Sequence, residues 1–197
     1  MKTRSLLVLA LVAATACGGK KPVEQPAPAP VAIDSTAIKA QMRQDSINAA
    51  AARSRAAAEA AARAAAAAAA QVQSQLTAQI TASIHFDFDK YDIMAGDQAN
   101  LDRKAAILMA NPGLTILIAG NTDNRGSAEY NLALGNRRAD AAQRYLANKG
   151  VAAGQMSIVS FGLERPVNPA NNEAAWAENR NDQFSPTAGG NNLVAPR

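Results

Sequence analysis

The stretch "GNTDNRGSAEYNLALGNRRAD", residues 120–140, carries two side chains whose types and spacing could do chemistry: Asp123 and Arg138. Read as a helix from about Ser127, the segment sets Tyr130, Leu134, Ala141, Ala142, Tyr145 and Leu146 on one stripe. At about 100° per residue they span about 160° of arc. Arg138 falls near the middle of that apolar arc, whereas Arg137 and Arg144 fall at its edge or beyond, where a solvated charge belongs. A guanidinium keeps its proton in a protein. If partly buried it needs a carboxylate, because an unpaired buried charge is costly. Asp123 is the nearest sensible source. One outcome is a structural ion pair that pins the helix to a sheet. The other is a split site, in which Asp123 takes an ammonium and Arg138 grips a carboxylate in bidentate fashion, as the free end of an amino acid would require. The residues alone leave both open.

Other chemistries are poorly supplied. One histidine and one cysteine cannot build a zinc or iron site from soft ligands. Asp87, Asp89, Asp92 and Asp97 do not have the spacing of a calcium loop. No metal and no cofactor is expected. No G-x-S-x-G motif is present. The enzymatic arrangement left standing is a carboxylate pair, Asp87 and Asp89, about 7 Å apart on one face of a strand.

The elements that must position these residues follow from hydrophobic period. "ITASIHFDFD", residues 80–89, alternates for ten residues and reads as a half-buried strand with His85 on its polar face. Gln98 to Ala110 reads as a helix with Leu101, Ala105 and Leu108 on one face. "LTILIAG", residues 114–120, is almost continuously apolar, the pattern of a central strand covered on both faces. The helix carrying Arg138 follows and ends at Lys149-Gly150. "MSIVSFG", residues 156–162, is a third strand, and "NNEAAWAENRN" a short helix that puts Trp176 in the core. Strands alternating with helices over about 110 residues indicate a small α/β or α+β sandwich, a sheet with helices against it.

The first part of the chain is different. Lys2 and Arg4 precede the short apolar run "SLLVLALVAATA", a secretory signal peptide over residues 1–16. Cys17 just past it is either a stray thiol after an ordinary cleavage site or, since "ATAC" resembles a bacterial lipoprotein signal, the lipidation site; acyl chains would then anchor the protein in a membrane. Residues 17–33 are a Pro-rich tether. Residues 49–70 contain 17 alanines in 22 positions, so 34–79 is expected to be a long helix of about 65 Å. Ile38, Met42 and Ile47 start no sustained heptad. The segment fits a solvated spacer, a weakly self-associating helix, or a partly disordered stretch. Charge divides the same way. Residues 1–83 carry +5 and 84–197 carry −1. A near-neutral domain without a basic stripe argues against nucleic acid as a partner.

"FDFDKYDI", "GNTDNRGSAEYNLALGNRRADAAQRYL", "VSFGLERPV" and "NEAAWAENR" together closely resemble the C-terminal domain of outer membrane protein A, and most closely its peptidoglycan-associated lipoprotein branch. The resemblance covers residues of about 80 to 185. It implies an α+β two-layer sandwich, a mixed sheet with helices packed on one side, preceded here by the Ala-rich helix. It implies a domain over 80–186 that binds, without catalysis, the diaminopimelate of the peptidoglycan stem peptide. Asp123 and Arg138 match the main ligands of that motif, and Phe88, Asp89, Asn131 and Arg180 match supporting positions. The implied protein is an outer-membrane lipoprotein with its domain in the periplasm. Its partners would be peptidoglycan, membrane lipid through acylated Cys17, and Tol-system components. The alternative is a structural oligomer held by the Ala-rich helix, with the domain as a passive cap. The sequence departs from the family at the end. "NRNDQFSPTAGG" has Asn181 in place of Arg, and Pro186 cannot donate to a ladder. The last strand is therefore expected to be short or at an edge, and residues 187–197 a loose tail.

Overall fold

The computed structural model describes residues 34–196. The signal peptide, Cys17 and the Pro-rich tether lie outside the described residues. The described residues divide into two units, 34–51 and 52–196. In the first, Asp34 opens helix α1 (Ser35–Thr81): its Oδ1 accepts from the backbone N–H groups of Thr36 and Ala37 at 2.9 and 3.2 Å. That side chain satisfies two of the donors every helix start leaves free. Ile38, Met42 and Ile47 are all exposed.

The second unit runs β1 (Ile84–His85), α2 (Ala95–Ala110), β2 (Thr115–Asn121), α3 (Ala128–Asn148), a 3-10 turn (Ala153–Gln155), β3 (Met156–Gly162), α4 (Glu173–Asn179) and β4 (Asn181–Ala188). The four strands lie in the order β1-β4-β2-β3. β2 and β3 are parallel, while β4 runs antiparallel to both of its neighbours. Ile84, Ile116, Ile118 and Phe184 share one face of this mixed sheet. They meet Leu101, Ala105 and Leu108 of α2 and Ala139, Ala142 and Leu146 of α3 in one core. The expected two-layer arrangement, helices on one side of a mixed sheet, is the one observed.

Two glycines set the distance between the layers. A methyl group added to Gly120 on β2 would lie 1.9 Å from the carbonyl oxygen of Gly135 on α3. One added to Gly135 would lie 2.4 Å from the Ser160 hydroxyl. Backbone meets backbone there, and any side chain would force the helix off the sheet. Arg138 is the next turn of the same helix.

Several expectations need correcting. The strand over 80–89 shrinks to Ile84–His85. Ile80 belongs instead to the last turns of α1, where Leu76 and Ile80, four residues apart, both enter the core. A buried pair at helical spacing outweighs an alternation that extended through polar Thr and Ser. The strand also cannot reach residue 89, since Asp89 turns the chain with φ 58°. β2 is buried on its helix side, but Thr115 and Leu117 on the other face are only half-covered. Trp176 is half-buried at the surface and not in the core.

The last strand is neither short nor at the edge: β4 has 8 residues and lies between β1 and β2. Proline is tolerated because β1 covers only Asn181 and Asp182, so at Pro186 the outer flank of β4 has no ladder to break. The tail is held as well. Gln73 donates to the Gly190 carbonyl and accepts from the Leu193 N–H, both at 2.7 Å. Asn111 grips Val194 through both backbone groups, at 2.7 and 2.8 Å. Leu193 is buried.

Candidate ligand-binding site

At the C-terminal end of β2 the chain leaves the sheet through Thr122 and Asp123, turns at Gly126 with φ 92°, and enters α3. Ser127 caps the helix by accepting from the Tyr130 N–H at 3.2 Å. Asn131, buried on the first turn, donates to the carbonyls of Arg125 and Ser127 at 2.9 and 3.0 Å and so fixes the loop from inside. Between this loop, the first turns of α3 and the turn after β1 lies a cavity of about 180 Å³. Phe88, Asp89, Asp123, Arg125, Tyr130 and Arg138 are among its walls.

Arg138 is completely buried on α3, as its place in the apolar arc implies. Its partners are not those expected. Among the described residues no ion pair joins it to Asp123. Its Nε donates to the Lys90 carbonyl at 2.8 Å, Nη1 to Asn121 at 2.8 Å and Nη2 to Asp87 at 3.1 Å. The guanidinium also lies over the Phe86 ring, 4.9 Å from its centroid. Three carbonyl dipoles, two from the turn after β1 and one from the end of β2, take three of its five N–H groups. Burial pulls the guanidinium down to about 10, while Asp182 and Asp123 hold it up, so it stays charged at neutral pH. A fixed cation with unspent donors at a cavity wall is ready to receive an anion.

Asp123 pairs with two other arginines. Arg125 spans its carboxylate, with Nη2 2.7 Å from Oδ2 and Nε 3.3 Å from Oδ1, and the Arg125 backbone N–H donates to Oδ1 at 3.1 Å. Arg180 Nη1 reaches Oδ2 at 3.4 Å. Burial pushes the Asp123 carboxyl up, but the Arg125 contacts, joined by Arg180, outweigh it and the net direction is down. Arg180 is itself nearly buried, donating to the Phe86 carbonyl at 3.1 Å and to Glu173 at 3.1 Å.

Of the six residues proposed from the sequence, Phe88, Asp89, Asp123, Asn131 and Arg138 line the cavity. Arg180 stands behind it and holds Asp123. Phe88 is 56% exposed, a lip of the cavity and not a core residue. Asp89, in the left-handed region, accepts from the Tyr130 hydroxyl. The enzymatic carboxylate pair loses its geometry: Asp87 and Asp89 share no strand face, and Asp87 pairs with Lys90 at 3.2 Å. The sequence pattern did not point to Arg125, Tyr130 or Trp176. Arg125 is stacked between Phe88 and Trp176, 4.0 and 4.3 Å from the ring centroids, and Trp176 Nε1 donates to Asn124 at 2.9 Å. An arginine two residues after an aspartate in a tight loop is a signal that could have been used.

Comparison with known proteins agrees with this architecture. Residues 85–180 match the OmpA family. Over 98 residues the chain is 51% identical to the peptidoglycan-associated lipoprotein of Haemophilus influenzae, covering 50% of this chain and 64% of that protein. It is 47% identical over 98 residues to the protein of that name from Pseudomonas putida, covering 50% and 58%. The chain thus spans about three fifths of the length of these curated relatives. The crystal structure of the peptidoglycan-associated lipoprotein from Burkholderia pseudomallei is 47% identical and superposes with a TM-score of 0.53, covering 53% of this chain and 89% of that one. With the mixed sheet, the loop after β2 and Arg138 in the places described, this chain belongs to the OmpA family.

Proposed function

We propose that this protein binds peptidoglycan non-covalently and without catalysis, and that it tethers an outer membrane to the cell wall. The observation that carries this is Arg138: a buried guanidinium, held by three backbone carbonyls, that faces a cavity also lined by the carboxylates of Asp89 and Asp123. Opposite charges on one small cavity suit the zwitterionic end of an amino acid, with the carboxylate on Arg138 and the ammonium among the aspartates. Diaminopimelate in the stem peptide presents such an end. The names of the relatives in Haemophilus, Pseudomonas and Burkholderia support the same reading.

In this proposal acylated Cys17 is the membrane anchor, the domain sits in the periplasm, and the Ala-rich helix is the spacer. Tol-system proteins are proposed as periplasmic partners. Two anchors on one chain raise the effective concentration of each for its target, so modest affinity for one stem peptide suffices. The test is co-sedimentation of the domain, residues 52–197, with purified peptidoglycan, beside Asp123→Ala and Arg138→Lys. Lysine keeps the charge but cannot supply three carbonyl bonds and a bidentate face at once. Both variants should lose most binding while retaining the native fluorescence of Trp176, the chain's single tryptophan. Folded variants that sediment as well as the parent would refute the assignment.

A further inference from the structure

Asp123 has no room for a ligand as it stands. A carboxylate has about four lone-pair sites. Here four donors occupy them: the Arg125 backbone N–H and Nε on Oδ1, and Arg125 Nη2 and Arg180 Nη1 on Oδ2. Arg180 is only 9% exposed and tied at two further points, so it is not the donor that leaves. Arg125 is 30% exposed and lines the cavity, and a second acceptor waits beside it. Its Nη1 lies 3.6 Å from Glu173 Oε2, on a carboxylate that is 67% exposed. Phe88 and Trp176 lie 4.0 and 4.3 Å from the guanidinium by their ring centroids, so its seat is aromatic as well as acidic.

We infer that Arg125 is an internal cation seated in the ammonium place on Asp123, and that a ligand's ammonium enters by exchanging with it as Arg125 passes to Glu173. This rests on the proposed function of the cavity. The exchange keeps the charges paired, since one cation replaces another on Asp123 and the displaced one rests on Glu173 Oε2, the Oε1 of the same carboxylate holding Arg180. Selection for an ammonium comes from Asp123, and Arg125 tempers it: a ligand ammonium must displace Arg125, whereas an anion without one docks on Arg138 with Asp123 still neutralised.

The test is an NMR titration of the whole chain with meso-diaminopimelate and with pimelate, the same dicarboxylate lacking both amino groups. The parent should prefer diaminopimelate. Arg125→Met removes the competitor, and the affinity ratio of diaminopimelate to pimelate should rise by up to about fivefold, the upper worth of one partly exposed ion pair. Arg125→Lys, a cation that cannot bridge both oxygens, should give an intermediate ratio. Glu173→Gln removes the second seat and should lower the ratio. A ratio that stays level or falls in Arg125→Met and Arg125→Lys overturns the exchange while leaving the peptidoglycan reading intact. If the parent binds neither compound and does not sediment with peptidoglycan, the underlying function fails instead.

Discussion

Asp182 offers a sharp energetic test of the fold. It sits on β4 between Ile84 and Gly120, fully buried, and neither carboxyl oxygen has a hydrogen-bond partner. Burial drives its carboxyl well above the ordinary value of 3.8, and nearby Arg138 only partly opposes this. The sign follows. A group whose pKa is raised by folding adds stability below its unfolded value and loses it as pH rises towards the folded value. Above about pH 4 the parent should therefore lose up to about 1.4 kcal/mol of stability per pH unit through this residue. Asp182→Val removes the carboxyl and adds an apolar neighbour for Ile84 and Phe184. It should stabilise the domain at pH 7 by about 1–3 kcal/mol, the cost of an unsatisfied buried polar group. In a domain of this size that is about 3–4 °C in Tm per kcal/mol. Thermal unfolding followed by Trp176 fluorescence reads the domain without the signal of the Ala-rich helix. The gain should grow between pH 4.5 and 7.5. The opposite result, a loss of about 3–5 kcal/mol at pH 7, would refute the reasoning, because it is what breaking a buried ion pair with Arg138 costs.

Two further predictions concern the other end of the domain. Lys104 is fully buried, with Nζ 2.7 and 2.9 Å from the Gln79 and Ile80 carbonyls at the end of α1, and 4.4 Å from the Phe184 ring centroid. Burial, aided by Arg103, pulls it down to about 7 from 10.5 against the pull of Asp97. Between those values the unfolded chain holds the extra proton, so stability should rise with pH, by about 2–3 kcal/mol from pH 7 to 9. Urea unfolding at the two pH values should show this rise in the parent and not in Lys104→Met. Truncation after Ala188 removes Leu193 and the bonds to Gln73 and Asn111; it should cost at least about 2 kcal/mol in the same assay, whereas a loose tail would cost nothing.

How far these features were legible depends on whether they are local. The Arg138 helix was visible because its apolar arc is a matter of spacing along one element, and the arginine inside that arc stood out as an anomaly. The same helical spacing was available at Leu76 and Ile80, but alternation from residue 80 onward imitated a strand. Only the core shows which period won. The partner of Arg138 was not legible at all. Charge pairing suggested Asp123, whereas the guanidinium is met by three backbone carbonyls that any sequence could supply. Arg125 escaped for a related reason, since its importance comes from Phe88 and Trp176, which are distant along the chain. Pro186 was judged by a rule about ladders without knowing that β1 is only two residues long.

The position of β4 has a mechanical consequence. Just before its first residue, Arg180 holds the carboxylate of Asp123. Just after its last, Gly190 and Leu193 are gripped by Gln73 in α1. The eight residues between them span about 26 Å in extended form. β4, paired with β2 along most of its length, thus ties the last turns of α1 to the edge of the cavity. Arg138 is anchored separately, by the carbonyls of Asp87, Lys90 and Asn121, so the cation of the site and the carboxylate of the site are held in place by different parts of the chain.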